Sequence, residues 1–328
     1  MVKAVAGAAV RRGLALLLAA IVLPGTLCAQ QFPTRPLRMI VPYGAGGGPD
    51  VTGRLVGKYL QESLGQAIVI DNRPGGAGVL AADVAAKAPP DGYTVLASDS
   101  GTMAINVAMF PKLPYDPLKD FQPVSLGYLT ALYIVTNAEL PVKSMKEFID
   151  YAKSHPGMNF GSNGNGQPHH PALEMFRQMT GASMVHIPYK GVAQAVTGLL
   201  AGEVPVIVAG LSTVLPHMSS GRIRVIATVQ KERAQALPDV PTVAESGLPD
   251  YEVRPSAGYL VPAGTPRAVV DRLNAALRAA LASPEVVQTL VKQGLHPQGS
   301  SPEQYGERMR AEIQMYARVV RESGMKIE

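Results

Sequence analysis

From residue 37 onward, short apolar runs alternate with stretches whose apolar residues recur at helical spacing. The runs at 37–41, 67–71, 94–98, 184–188, 204–209, 224–228 and 258–261 are short, bounded by turn residues, and predict strands. Between them, Val51, Leu55, Val56, Tyr59 and Leu60 share one helical face, as do Leu173, Phe176 and Met179. Val269, Leu273, Ala276, Leu277 and Leu281 mark a long helix near the end. Ser144 with Glu147, and Ser301 with Gln304, have capping-box spacing, in which the hydroxyl accepts an orphan helical N–H and the longer side chain reaches back. Prolines and glycines place turns at 72–76, 89–92 and 262–266. Alternation of this kind predicts an α/β fold with mostly parallel sheets.

Two glycine-rich loops stand out. Tyr43-Gly44-Ala45-Gly46-Gly47-Gly48-Pro49-Asp50 follows the 37–41 strand and opens a helix. Such a loop offers bare N–H groups and a positive helix end to an anion. Gly44 and Gly46 fit the first two glycines of a dinucleotide fingerprint, but Pro49 stands at the third and no Walker lysine follows, so no cofactor is expected. The bland reading is a strand-to-helix turn with Asp50 as N-cap. Five small residues in a row exceed what a turn needs and favour backbone approach to a ligand. The second loop, Gly161-Ser162-Asn163-Gly164-Asn165-Gly166, follows a strand-like stretch at 158–160 and again precedes a helix. Its serine and asparagines suit either a turn or a carboxylate's oxygens. Two such loops fit two lobes facing one cleft.

Other candidate chemistry is weaker. His169 and His170 point to different sides of a helix start, and Glu174 alone does not complete a zinc site. His170, at the mouth of the second loop, reads as a hydrogen bonder that orients a ligand or braces the loop. His186 reads as a satisfied strand histidine. Ser98, Asp99 and Ser100 end a strand, but no G-x-S-x-G elbow accompanies them, and no paired acids suit glycoside hydrolysis. Tyr189 and Lys190 follow the 184–188 strand, at the end where α/β clefts collect ligands. Tyr43 and Tyr189 read as apolar cleft walls with polar tips.

Residues 1–29 have the pattern of a cleaved secretory signal: Lys3, Arg11 and Arg12, then an apolar run at 14–23, then small residues up to Ala29. Such a signal predicts export of the mature chain. Cleavage would remove Cys28, the single cysteine, and with it any disulfide framework, thiol nucleophile or thiolate metal site. Three of the 30 basic residues and none of the 25 acidic ones lie in this segment, so the formal charge falls from +5 to +2. No basic stripe interleaved with aromatics appears, which argues against nucleic acid. About 300 mature residues suggest two domains.

The motifs Phe32-Pro33 through Gly47, Asn72-Arg73-Pro74-Gly75, Pro90-Asp91-Gly92-Tyr93-Thr94 and Leu113-Pro114-Tyr115-Asp116-Pro117 with Asp120-Phe121 resemble one family in order. So do 161–170, 186–191, 237–245 and 262–266. The chain resembles the Bug family, the extracytoplasmic receptors of tripartite tricarboxylate transporters, over its whole mature length. The resemblance implies a two-lobed periplasmic-binding-protein fold, type II-like, each lobe a mostly parallel sheet flanked by helices with the ligand cleft between. It implies lobe one at 30–128 plus 254–328 and lobe two at 129–253. It further implies a monomeric, non-catalytic receptor for a small organic acid anion, with a membrane permease or a sensor protein as partner. Carried over by motif, the binding residues are Tyr43, Gly44, Ala45, Gly46, Gly47 and Asp50, joined by Gly101 and Thr102. On lobe two they are Ser162, Asn163, Gly164, Asn165, Gly166, His170 and Tyr189. The family often carries an aspartate where Ala209-Gly210 stands, so Ala209 weakens an amino-acid ligand and favours a simple, aromatic or apolar-bodied carboxylate. A secreted hydrolase or isomerase, and an anion-responsive signalling module, are the alternatives.

Overall fold

The computed structural model describes residues 32–45 and 48–325. The expected signal at 1–29, with Cys28 and the cleavage site, and Gly46 and Gly47 of the first loop, lie outside the described residues. The chain divides after Thr34, and every element lies in the second unit, Arg35–Glu328.

That unit begins with strand–helix repeats. β1 (Leu37–Val41) leads through the first glycine loop into α1 (Gly48–Leu64), then β2 (Ile68–Asn72), α2 (Val79–Ala86) and β3 (Thr94–Asp99). A π-helical turn at Gly101–Ile105 runs into the short α3 (Asn106–Met109). β4 (Phe121–Thr130) and β5 (Leu132–Asn137) are separated only by Ala131. Then follow α4 (Met145–Ser154), β6 (Met158–Ser162), α5 (His169–Thr180), β7 (Met184–Pro188), α6 (Val192–Ala201), β8 (Val206–Gly210), α7 (Leu211–Met218) and β9 (Ile223–Thr228). β10 (Ser256–Pro262), α8 (Arg267–Ala282), α9 (Pro284–Lys292), β11 (Leu295–Pro297) and α10 (Pro302–Ser323) complete the chain.

The strands form two sheets, β11-β4-β10-β3-β1-β2 and β7-β6-β8-β5-β9. Both are mixed, against the expectation of mostly parallel sheets. β1 runs parallel to β2 and β3, and β6 parallel to β7 and β8, as strand–helix–strand units require. β10 is antiparallel to β3 and β4, and β5 to β8 and β9. The cause is the crossing: β4 continues into β5 with almost no break and carries the chain from one sheet to the other. β10 brings it back. A strand that enters a sheet by crossing owes no direction to a βαβ unit.

Each sheet has its own core. β5 is buried along its whole length, and its alternating side chains serve both faces of its sheet. Ile134 joins Phe148, Phe160, Phe176 and Val208 on one face, with Phe148 stacked on Phe176 at 5.3 Å between ring centroids. Tyr133 and Val135 join Leu199 and Ile207 on the other. In the first sheet Ile40, Leu96, Phe121 and Leu260 pack with Tyr305 and Met309 of α10. The capping residues act as expected at both helices. Ser144 accepts from the Glu147 N–H, and Ser301 and Gln304 form a complete reciprocal box. α10 ends at Gly324 with φ +72°, and its Val319 reaches the core of the second sheet.

Candidate functional site

A cleft of about 260 Å³ opens where the chain crosses between the sheets. Thr130 and Leu132 flank the first crossing and Pro255, Ser256 and Ala257 the second, and all five line it. Tyr43, Pro49, Asp99 and Tyr128 form one wall, with Asn163, Gln167, Pro168, His169 and Ser212 opposite and Gln293 and Leu295 at the rim. Three helix starts therefore meet the cleft: α1 at Pro49, α5 at Pro168 and His169, and α7 at Ser212. No lysine or arginine lines it among the described residues. Positive potential in this cleft comes from helix ends and backbone N–H groups.

The first wall is held by a small network. The Tyr43 hydroxyl donates to Asp99 Oδ2, and the Thr102 N–H donates to Asp99 Oδ1 at 3.0 Å. Burial, and then the Asp99 carboxylate beside it, hold the Tyr43 phenol well above its ordinary pKa, so it stays protonated and donating. Tyr128 is raised for the same two reasons, burial first. On the opposite wall, burial lowers His169 to about 4, so its imidazole is neutral at pH 7. His169 Nδ1 and Asn163 Oδ1 are buried atoms without a hydrogen-bond partner among the described residues, and both residues line the cleft.

Of the residues expected at the site, the structure brings Tyr43 and Asn163 to the cleft surface. Gly44 and Ala45 are exposed beside Tyr43. Gly101 opens the π-helical turn and faces the second wall closely: a Cβ there would stand 3.8 Å from Pro168 Cδ and 3.2 Å from Asp99 Oδ1. Thr102 lies behind it, buried, holding Asp99 through its N–H. Asp50 is buried in the first turn of α1, inside the helix and not at its N-cap. It pairs with Arg54 at 3.0 Å and accepts from Asn72 Nδ2 at 2.9 Å; Asn72 also donates to the Tyr43 carbonyl. Asp50 thus braces the first loop.

The second loop divides in the same way. Ser162 is fully buried; its hydroxyl meets His186 Nε2 at 2.6 Å and accepts from the Gly164 N–H. This is a hydroxyl–imidazole pair of the kind a nucleophile needs, but Ser162 is buried and neither residue lines the cleft. Gly164 and Gly166 take φ +127° and +70°, conformations that favour glycine, and shape the loop around Asn165. His170 does not reach the cleft. It is buried, stacked on His186 at 3.6 Å between centroids, with Nε2 3.6 Å from Glu174 Oε1. Its role is bracing, and its neighbour His169 takes the cleft position. Tyr189 also points elsewhere: its hydroxyl donates to Glu203 Oε2 at 3.0 Å, and its ring lies over Gly198, where a Cβ would stand 2.2 Å from that hydroxyl. Ala209 is buried in β8 opposite Tyr133 and does not line the cleft.

Sequence reasoning missed Asp99 and His169 as cleft residues, although both stood next to residues it singled out. It missed Tyr128, Thr130, Pro255 and Ser256 entirely, because they belong to the crossings, which carry no local motif.

The family described as tripartite tricarboxylate transporter family receptor matches residues 52–325. The Bordetella pertussis protein BugT is 38% identical over 302 residues, covering 92% of this chain and 93% of BugT. Among solved structures, R. palustris Rpa4515 with adipate aligns with a TM-score of 0.80 and 34% identity, over 90% of this chain and 99% of that one. MatC (Rpa3494) from Rhodopseudomonas palustris with bound malate aligns with a TM-score of 0.76 and 32% identity, over 88% of this chain and all of that one. With two α/β sheets joined by strand crossings, a cleft lined by both, and these matches over most of its length, the chain belongs to the tripartite tricarboxylate transporter receptor family, the Bug or TctC-type solute-binding proteins.

Proposed function

We propose that this protein captures a small organic carboxylate in the periplasm and delivers it to a membrane permease of the tripartite tricarboxylate type. The observation that carries this reading is the convergence of three helix starts on a cleft without a lining lysine or arginine. Helix ends and backbone N–H groups hold a carboxylate without the permanence of a buried ion pair, which suits a ligand that is later released. The adipate and malate bound by its structural neighbours agree with a ligand of this class. Residues 30–128 with 254–328 act as one lobe and 129–253 as the other, hinged at the crossings near Ala131 and Pro255. An anion touching both walls binds the closed state better and so drives closure. Tyr43, Gly44, Ala45, Gly46, Gly47, Gly101 and Asn163 are the proposed ligand contacts of the expected set, with His169 and Ser212 added from the second wall. No turnover is proposed, because the one serine–histidine pair at the site is buried behind the loop.

A thermal-shift screen of the mature protein over mono-, di- and tricarboxylates, aromatic acids included, tests this reading. A ligand at about 100 times its Kd should add roughly 2.7 kcal/mol of stability, a shift of several degrees. A panel in which no acid raises the melting temperature, while a sugar or a cation does, contradicts it.

A further inference from the structure

Asp99 ends β3 and lines both the main cleft and a side pocket of about 20 Å³ formed with Tyr43, Thr52, Ser98, Tyr128 and Tyr259. Among the described residues it accepts from the Tyr43 hydroxyl and the Thr102 N–H, one to each oxygen. A carboxylate has about four acceptor sites, so each oxygen retains capacity for a further donor. Asp99 is only partly buried and forms no ion pair with a lysine or arginine among the described residues. Several other acids held in or near the cores carry an arginine partner. Asp50 pairs with Arg54, Asp71 with Arg38 and Arg73, Glu174 with Arg177 and Glu312 with Arg308. Asp99 therefore places an uncompensated negative charge on the wall of a cleft whose helix ends attract anions. A ligand whose every polar group is anionic sets a like charge beside it. A ligand that also carries an N–H or O–H meets an acceptor held in place by two bonds.

Resting on the carboxylate-binding reading, we infer that Asp99 is a specificity-determining residue, and that the acid bound here carries a hydrogen-bond donor, a hydroxyl or an ammonium, facing it. Asn163 Oδ1, a buried acceptor on the opposite wall with no partner among the described residues, points to the same chemistry. Tyr43 acts through Asp99 by fixing the direction of its second oxygen.

The test is calorimetric titration at pH 7.5 with matched acids that differ in the donor: succinate, malate and aspartate, then adipate, 2-hydroxyadipate and 2-aminoadipate, then methylbenzoate and its hydroxymethyl and aminomethyl counterparts. On the scaffold that binds, the wild-type protein should hold the donor-bearing member at least tenfold more tightly. Asp99→Asn should reduce that ratio to within about threefold, with the ammonium member losing more than the hydroxyl member, because the substitution removes charge and keeps shape. A donor-free acid that binds as tightly as its partners, or a ratio unchanged in Asp99→Asn, overturns the inference and leaves carboxylate binding standing. Failure of every acid to bind overturns both. The wild-type ratio needs no variant, so the test survives an Asp99→Asn chain that fails to fold.

Discussion

Removing Glu312 should weaken the whole fold, and its neutral isostere should weaken it far less. Glu312 lies on α10 and is 3% exposed. Its Oε2 accepts from Ser100 at 2.9 Å and Ser256 at 2.8 Å, and its Oε1 accepts from Arg308 at 2.8 Å. Ser100 in turn accepts from the Ser256 N–H at 2.7 Å. The cluster ties the end of β3 to the start of β10, where the second crossing meets the cleft. Glu312→Ala leaves two buried hydroxyls and a guanidinium short of their acceptor. Breaking a buried pair costs about 3–5 kcal/mol. Arg308 keeps 30% of its side chain in water and still donates to the Arg254 carbonyl, which favours the lower end, about 3 kcal/mol. At about 2–4 °C per kcal/mol, the melting temperature should fall by roughly 6–12 °C. Glu312→Gln keeps an acceptor for both serines. Burial, outweighing Arg308, holds the Glu312 carboxyl above its ordinary pKa, so the fold does not favour its ionised form. The glutamine variant should therefore lose less than half as much. Thermal and urea melts of the three proteins decide it. A loss under about 1 kcal/mol for Glu312→Ala, or equal losses for both variants, refutes the reasoning.

The remaining predictions concern the second sheet. Burial lowers His169 to about 4, and burial together with the neighbouring His170 lowers His186 to about 3. Both lie below the unfolded value of about 6.5, so the unfolded chain binds more protons between these limits. The stability they contribute is complete above pH 6.5 and is lost as the pH falls through 4 toward 3. Urea midpoints should drop between pH 7.5 and pH 5, with a shallower slope in His186→Gln; identical midpoints at both pH values would count against histidines held neutral in the fold. Tyr189→Phe removes one hydrogen bond to Glu203 on the far side of the loop from the cleft. It should cost about 1 kcal/mol or less and leave ligand affinity within twofold by calorimetry, whereas a tenfold loss would return Tyr189 to the site.

Much of this was legible in the chain for physical reasons. The run at 37–41 coincides with β1 because a buried strand between turn residues leaves a continuous apolar run; the run at 184–188 coincides with β7, an edge strand that buries only Met184. β4 was not legible. Pro123 and Gly127 interrupt its pattern, and Gly127 forms a bulge opposite β10, where a Cβ would stand 3.0 Å from Tyr259 Cε2. The crossing into β5 depends on partners 70 or more residues away, Val206 and Arg224 among them, which no local pattern reveals. At the site, the glycine loops announced Tyr43 and Asn163. They did not distinguish His169 from His170, since successive helical residues point about 100° apart and the phase is set by tertiary packing. Asp99 was visible as the end of a strand, but its place beside Tyr43, 56 residues away, was not.

The central claim is that this cleft recognises a carboxylate through helix ends and backbone N–H groups. Calorimetric titration of the wild-type protein with the best-binding acid, and with its primary amide of the same shape, tests it most directly. The account predicts that the acid binds and that its amide binds at least a hundredfold more weakly, because the amide brings no charge to the helix ends. An amide that binds as tightly as its acid would contradict it.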